Sequence, residues 1–498
     1  MLSLKNVTYR YRADLPPVLD DLSLEVASGE QVCVMGANGS GKSTLARLMA
    51  SLAEPDSGTV TVDTPNSGSM AVGMLFQNPD NQMVAVTVDK EIAFALENLG
   101  IPPEQIEQRL SDVLRRFDIE HLRRRLTSEL SGGEKQRVAL AALMVSDPAA
   151  LVLDEPDSFL DEAGRRLLSE QLDAIHRRNP RACVIRITQY PHVARSYPRL
   201  VMLEHGRILA DGDPVEILTD ESLCQRAGLV FSPNRYAAKE CTTAALAQTN
   251  GHSSIARVVC ERVTFAYLPD QPVLKGLNLE LRSGETLGVV GPSGSGKSTL
   301  GLLLCGLNQP DSGGIRFLGG DGGQLDAASL SGRVSAILQQ PERQFFLRTC
   351  AEEVTFGPTN RGHSFVDRQV KAMMQLVGLD PQVFAARDPL TLSGGEKRRL
   401  AFAAVLSMQP EVIIFDEPTC ALDVDGVSRF VALSQRLAEQ GRTQVVITHD
   451  GDVVRLLADK VLILDAEGRS SLVTVREFFS GSSSAIVSPP YHTGRTED

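Results

Sequence analysis

Two rhythms alternate along this chain. Residues 31–35, 151–153 and 184–187 are β-branched and apolar at nearly every position, as strands buried on both faces are. Between such runs lie segments with helical apolar spacing, residues 135–146 being the clearest. The alternation predicts α/β domains with a largely parallel, buried strand core.

The order of these segments occurs twice. Gly36-Ala-Asn-Gly-Ser-Gly-Lys-Ser-Thr44 returns as Gly291-Pro-Ser-Gly-Ser-Gly-Lys-Ser-Thr299, and Leu130-Ser-Gly-Gly-Glu-Lys-Gln-Arg137 as Leu392-Ser-Gly-Gly-Glu-Lys-Arg-Arg399. Asp154-Glu155-Pro156 returns as Asp416-Glu417-Pro418, and even the openings match: Val7-Thr-Tyr-Arg-Tyr11 against Val263-Thr-Phe-Ala-Tyr267. A duplicated domain follows, with halves at 1–220 and 255–480. Residues 221–254, rich in Ala, Thr, Ser and Asn, are expected to be a linker, and 481–498, with a serine triplet and Pro489-Pro490, a disordered tail.

Composition narrows the partners. Lys plus Arg is 50 against 62 Asp plus Glu, a net charge of −12, which disfavours nucleic acid as a ligand because phosphate backbones require clustered basic surface. Trp is absent, so stacking platforms for bases have little material. No apolar run is long enough to span a bilayer and the first residues read as strand, so a soluble, non-secreted chain is expected. The eight cysteines form no C-x-x-C pair and are expected to be reduced, mostly buried thiols.

Gly36 to Ser43 fits G-x-x-x-x-G-K-[ST] between an apolar strand and a helix, the context of a phosphate-binding loop. Lys42 and Lys297 are expected to neutralise β and γ phosphates, with backbone N–H groups around Gly36, Asn38, Gly39 and Gly41, and Gly291, Ser293, Gly294 and Gly296, wrapping them. Ser43 and Ser298 offer hydroxyls to Mg²⁺, and Thr44 and Thr299 belong to the same nucleotide-binding set. Asp154 and Asp416 end apolar strands as candidate metal-side ligands; Glu155 and Glu417 are the candidate general bases, the alternative being acidic helix caps. Ser131, Gly132 and Gly133, and Ser393, Gly394 and Gly395, open strongly helical stretches and form a second anion site per half. That doubling makes sense if each serves the nucleotide of the other half, in head-to-tail pairing.

Together these motifs resemble the ATP-binding-cassette (ABC) ATPase family over nearly the whole chain. The resemblance implies two tandem P-loop domains, each a RecA-like α/β core with an antiparallel β portion and an inserted helical subdomain. It implies ATP and Mg²⁺ as ligands, Tyr11 and Tyr267 stacking on adenine, Gln77 and Gln339 sensing γ-phosphate and Mg²⁺, and Asp161 and Asp423 linking the two sites. For the tyrosines a strand-end core position is the alternative.

Phe76-Gln-Asn-Pro-Asp-Asn-Gln82 with Glu91-Ile-Ala-Phe-Ala95, and Leu338-Gln-Gln-Pro-Glu-Arg-Gln344 with Glu352-Glu-Val-Thr-Phe-Gly-Pro358, resemble the ATPase (A) components of energy-coupling-factor (ECF) importers. That resemblance implies a fused pair of A components at the cytoplasmic face of the cell membrane. It also implies a transmembrane T-type subunit, received in a groove near these segments, and a substrate-binding S-type membrane subunit capturing a vitamin or metal ion. Soluble twin-cassette proteins acting on ribosomes are the competing class, but residues 219–254 lack their long basic linker.

The halves differ at one catalytic position. The family's switch histidine falls on His449, whereas the first half has Gln189. An amide hydrogen-bonds but carries no imidazolium charge, so slower hydrolysis is expected at the site of Gln189, equal service being the alternative. His192 is expected to face solvent, and Arg123 to Arg125 to form a solvated basic surface, with a membrane contact as the sharper option.

Overall fold

The computed structural model describes residues 1–62, 71–77, 79–130, 132–157, 160, 162–230, 255–269, 271–362, 367–420 and 422–480. They form two compact units that divide between Val230 and Phe231.

In the first unit, β1 (Leu2–Tyr9) lies between β2 (Leu19–Val26) and β4 (Ser57–Val62) in a small antiparallel sheet. Leu22, Leu24 and Val26 of β2 are buried while Ser23 and Glu25 are exposed, the period-2 signature of a sheet with one wet face. A six-stranded sheet carries the chemistry. It contains β3 (Gln31–Met35), β5 (Val72–Leu75), β6 (Ala150–Asp154), β7 (Cys183–Ile187), β8 (Arg199–Glu204) and β9 (Arg207–Gly212) in the order β5-β6-β7-β3-β8-β9. All pairings are parallel except β8 with β9. β6 and β7 are buried at every residue, which is why their sequences are apolar or β-branched except at Asp154, the last residue of β6, and at Arg186, which is paired inside the fold.

One face of this sheet meets the antiparallel sheet and the helix Lys42–Met49 through Leu24, Val34, Leu45 and Leu48. The other face meets the inserted helices Val88–Asn98, Pro103–Arg116 and Gly132–Met144 through Leu75, Ile92, Leu114, Val138 and Leu153. This is the layered core with an antiparallel portion and helical insertion that the family resemblance implies.

The second unit repeats the plan. β10 (Ile255–Leu268) pairs with β11 (Gln271–Arg282) and β13 (Ser312–Gly319). Its larger sheet orders β14 (Val334–Ile337), β15 (Val412–Asp416), β16 (Thr443–Ile447), β12 (Thr286–Val290), β17 (Lys460–Leu464) and β18 (Ser470–Thr474) in that spatial sequence. Phe415 packs edge-on against Phe402 and Phe430, with ring centroids 5.9 and 5.2 Å apart, which anchors the end of β15 just before Asp416. Such pairs contribute about 0.5–1.5 kcal/mol each beyond area burial.

The stretch expected to be linker begins folded. Asp220 caps the helix Glu221–Arg226, accepting hydrogen bonds from Ser222 N and Leu223 N, and Cys224, Ala227 and Leu229 are buried. These three apolar residues and the Arg226–Glu204 ion pair, at 2.6 Å, dock it. Residues 231–254 and 481–498 lie outside the described residues. Cys33, Cys183, Cys224, Cys260 and Cys350 are buried free thiols, and burial pushes Cys33 and Cys260 up to about 12. No helix among the described residues is long and apolar enough to cross a membrane.

Candidate functional site

Strand register collects the site. Val34 of β3 and Asp154 of β6 both pair with Ile187 of β7, and Leu75 of β5 pairs with Leu153. The carboxyl ends of four neighbouring strands therefore lie level, and the residues just beyond them are Gly36, Gln77, Glu155 and Gln189. An open parallel sheet presents ligand-facing groups at this edge. The second unit places Gly291, Gln339, Glu417 and His449 in the same way.

The phosphate-loop geometry requires glycine at its first position. Gly36 has φ +152° and Gly291 φ +155°, and a Cβ on either would sit 2.4 or 2.3 Å from the carbonyl oxygen of Leu203 or Leu464. Asn38, Gly39, Ser293 and Gly294 are exposed at the crown of each loop, while Gly41 and Gly296 begin the following helices. Lys42 Nζ donates to the carbonyl oxygens of Gly36 and Ala37 at 2.8 and 2.9 Å, and Lys297 Nζ to those of Gly291 and Pro292 at 2.8 Å each. Each ammonium thus lies across its own loop, a buried positive charge positioned for an anion cradled there.

The carboxylates differ in environment. Asp154 is pushed up to about 6 by burial and by the Glu155 charge, against a hydrogen bond from Ser43 and the Lys42 charge. Asp416 is pushed up to about 6 by burial, with Ser298 hydrogen-bonding it and Glu417 repelling it. Each keeps one buried oxygen, Oδ1, without a hydrogen-bond partner. A buried carboxylate oxygen left unpaired beside a serine hydroxyl fits a divalent cation, which would restore the ionised form. Ser40 Oγ and Ser295 Oγ, inside the loops, are likewise buried and unpartnered.

Glu155 and Glu417 adopt left-handed backbone conformations, with φ +47° and +49°, held by hydrogen bonds from their N–H groups to Ile187 O and Ile447 O. Non-glycine residues pay for this conformation, about 1 kcal/mol or more, and both units hold it at the residue just after the strand-end aspartate. The Glu155 carboxylate accepts from Gln77 Nε2 and from Gln189 Nε2, each at 2.7 Å. Glu417 Oε1 lies 3.2 Å from His449 Nε2.

Other predicted residues sort by position. Tyr11 and Tyr267 are half exposed, at 50% and 59%, so the core alternative fails. Their hydroxyls meet Thr44 Oγ1 and Thr299 Oγ1 at 3.0 and 3.3 Å, and Tyr9 and Phe265 support them edge-on. One ring face beside each loop is thereby available for stacking. Gly132 and Gly133 open the helix Gly132–Met144, and Gly394 and Gly395 the helix Gly394–Leu406, which Ser393 caps in a capping box with Glu396. Ser131 and Asp161 lie outside the described residues; Asp423 caps the helix Val424–Glu439.

His192 departs from expectation. It is half-buried in the short helix Pro191–Ala194 against Tyr190, and burial together with the Arg165 charge pushes it down to about 4. Arg123 and Arg125 pair with Glu107 and Glu134, at 2.8 and 3.7 Å, as a mixed-charge surface does.

Several contributors escaped the sequence reading. Glu91 and Glu353, both buried, accept backbone N–H bonds from Val84 and Ala85, and from Phe346 and Leu347. Gln82 and Gln344 bond the strands before Gln77 and Gln339 through Met74 O and Ala336 O. These pins set the loop after each glutamine; their identical spacing in both halves was the available signal. Arg398, at the signature position where the first half has Gln136, donates to Gln339 O at 2.6 Å and to Glu417 O. Gln136 donates to Pro156 O. Buried Arg186 is ion-paired with Asp157, where the second unit has Val446 and Thr419.

A profile of the ABC transporter family matches residues 19–158 and 274–420. A Bifidobacterium longum protein, provisionally named an ABC transporter ATP-binding protein, is 32% identical over 92% of this chain, which spans 64% of that relative's length. A Bacillus subtilis protein provisionally named an HMP/thiamine import ATP-binding protein is 30% identical over 94% of this chain and 90% of its own length. Among solved structures, an archaeal ribosome recycling factor in complex with a ribosomal stalk protein superposes with TM-score 0.63 at 20% identity, over 95% of this chain and 90% of that one, a likeness of fold alone.

Proposed function

Because this chain is an ATPase of the ABC transporter family, we propose that it is the fused motor of an ECF-type importer, hydrolysing ATP to drive uptake of a micronutrient through separate membrane subunits. In this reading each nucleotide lies between the phosphate loop of one half and the signature helix of the other. Lys42 or Lys297 holds the phosphates, Tyr11 or Tyr267 stacks on the base, and Mg²⁺ is held by Ser43, Gln77 and Asp154 or by Ser298, Gln339 and Asp416. ATP supplies the phosphoryl group; Glu155 and Glu417 take the proton of the attacking water, and Gln189 and His449 orient it.

The observation that carries the transport reading is a matched pair of exposed apolar surfaces. Val84, Val86 and Phe94 are 67%, 66% and 45% exposed on the pinned segment after Gln77, and Phe346 and Phe356 are 64% and 40% exposed at the matching place after Gln339. Phe346 and Phe356 stack edge-on at 4.6 Å. Exposed apolar side chains on the loop after each nucleotide-site glutamine and on the helix that follows it suit a helix of a T-type membrane subunit, whose movement would then follow the state of the site. The peripheral cytoplasmic location follows from that contact. The Bacillus subtilis relative's name supports a vitamin as cargo, captured by an S-type subunit.

Affinity purification of the tagged chain from detergent-solubilised native membranes, with mass spectrometry of stoichiometric partners, tests this. Small polytopic membrane proteins are expected, and loss of them in a Phe346→Ser variant. Ribosomal proteins in their place would overturn the importer.

A further inference from the structure

The first unit holds a cavity of about 570 Å³ far from the nucleotide edge. It opens between the inserted helix Pro103–Arg116 and the amino ends of β6 and β7, whereas Gly36, Gln77 and Glu155 lie beyond carboxyl ends. Four arginines line it: Arg109 and Arg116 from the inserted helix, Arg178 and Arg181 from the core. None is within ion-pair distance of a carboxylate among the described residues, and of the two aspartates that line the cavity, Asp112 is already paired with Arg115 at 2.6 Å.

Arg116 is the floor. Its guanidinium stacks over Phe117, and its Nε and Nη2 are buried with no hydrogen-bond partner. Leaving two charged donors desolvated and unpaired costs several kcal/mol in principle, so they call for an acceptor. Burial and the neighbouring Arg178 charge both work against the Arg116 cation, and Asp147 only partly offsets them. The volume matches small-molecule sites, and a planar fork of donors with further cations around it suits a tetrahedral oxyanion.

The second unit differs at the matching turn. Asp147 precedes Pro148 at the turn before β6, and the matching turn before β15 has Gln409 before Pro410. There Arg442 donates to the carbonyl oxygens of Gln409 and Pro410 at 3.1 and 3.0 Å. A phosphate loop is common to both halves; this arginine cluster belongs to one.

We propose that the cavity between Arg116 and Arg178 binds a small phosphomonoester or inorganic phosphate, bridging the helical insertion to the α/β core of the first unit. The site is independent of the transport reading and of either nucleotide site.

The test titrates inorganic phosphate into the full chain by calorimetry with ADP saturating, so that phosphate-loop binding is common to all samples. One equivalent is expected to be lost or weakened at least about tenfold in Arg116→Ala, since a charge-assisted hydrogen bond contributes more than one tenfold step. Arg181→Glu, at the exposed rim, should weaken it without disturbing the fold, and ADP affinity should be unchanged in both. Phosphate binding identical in wild type and both variants overturns the proposal. Capture by phosphatidic-acid vesicles that depends on Arg116, without binding of soluble phosphate, overturns it in favour of a lipid surface.

Discussion

The Gln189 amide donates to Glu155 Oε1 at 2.7 Å, in the position where the second unit sets His449 Nε2 3.2 Å from Glu417 Oε1. With Gln77 on Oε2, both oxygens of Glu155 are held by neutral donors. An imidazole can take up a proton when charge develops on phosphate, and an amide cannot. His449→Ala is therefore expected to lower the ATPase kcat by a factor on the order of 10² at its site, and Gln189→Ala by less than about threefold. Single-turnover rates of the two variants check this; equal losses would remove the asymmetry.

Asp154 and Asp416 ionise near 6 in the folded chain against a reference of 3.8. Between those values the native state binds more protons than the unfolded one, so metal-free stability falls as pH rises through that window. At pH 7.5 in EDTA, Asp416→Asn is expected to stabilise the second unit by about 2 kcal/mol, an advantage that vanishes near pH 4. Mg²⁺ should stabilise the wild type and leave the variant unmoved. Calorimetric unfolding measures both, and a destabilised variant at pH 7.5 contradicts the account.

Arg186 and Asp157 form an ion pair with both side chains almost fully buried, joined by Thr188 Oγ1 to Asp157 Oδ2 at 3.3 Å. Removing one partner strands a buried charge, so Asp157→Thr is expected to cost about 3–5 kcal/mol. Adding Arg186→Val, which reproduces the pair Thr419 and Val446 of the second unit, should recover most of that loss, because matched apolar replacement of a buried pair is often neutral. Denaturant midpoints of the single and double variants decide it; a double variant no better than the single one would show that the charges serve more than each other.

Much of this protein is legible in its sequence because its information is local. A glycine that must adopt φ +152° beside a carbonyl, or a strand buried on both faces, leaves a mark at its own position, and the repeat of Gly36 to Thr44 at Gly291 to Thr299 made the duplication plain. The helix Glu221–Arg226 leaves little mark in the sequence because it buries Cys224 alone along its own length and docks otherwise through Ala227, Leu229 and the Arg226–Glu204 ion pair. His192 was misplaced because the Tyr190 and Arg165 that enclose it are brought together only by packing.

The two α/β units, their phosphate loops and the residue types at the strand ends are readable along the chain, since each depends on backbone conformation or burial within a single segment. Which groups share an environment is set by packing. It put Gln189 on Glu155, buried Arg186 against Asp157, left Asp416 with an unpaired oxygen, and gathered four arginines from two helices and the turn before β7 around one cavity. Electrostatics and desolvation act through space, and positions distant in sequence acquire their chemistry when the sheet and the inserted helices close upon them.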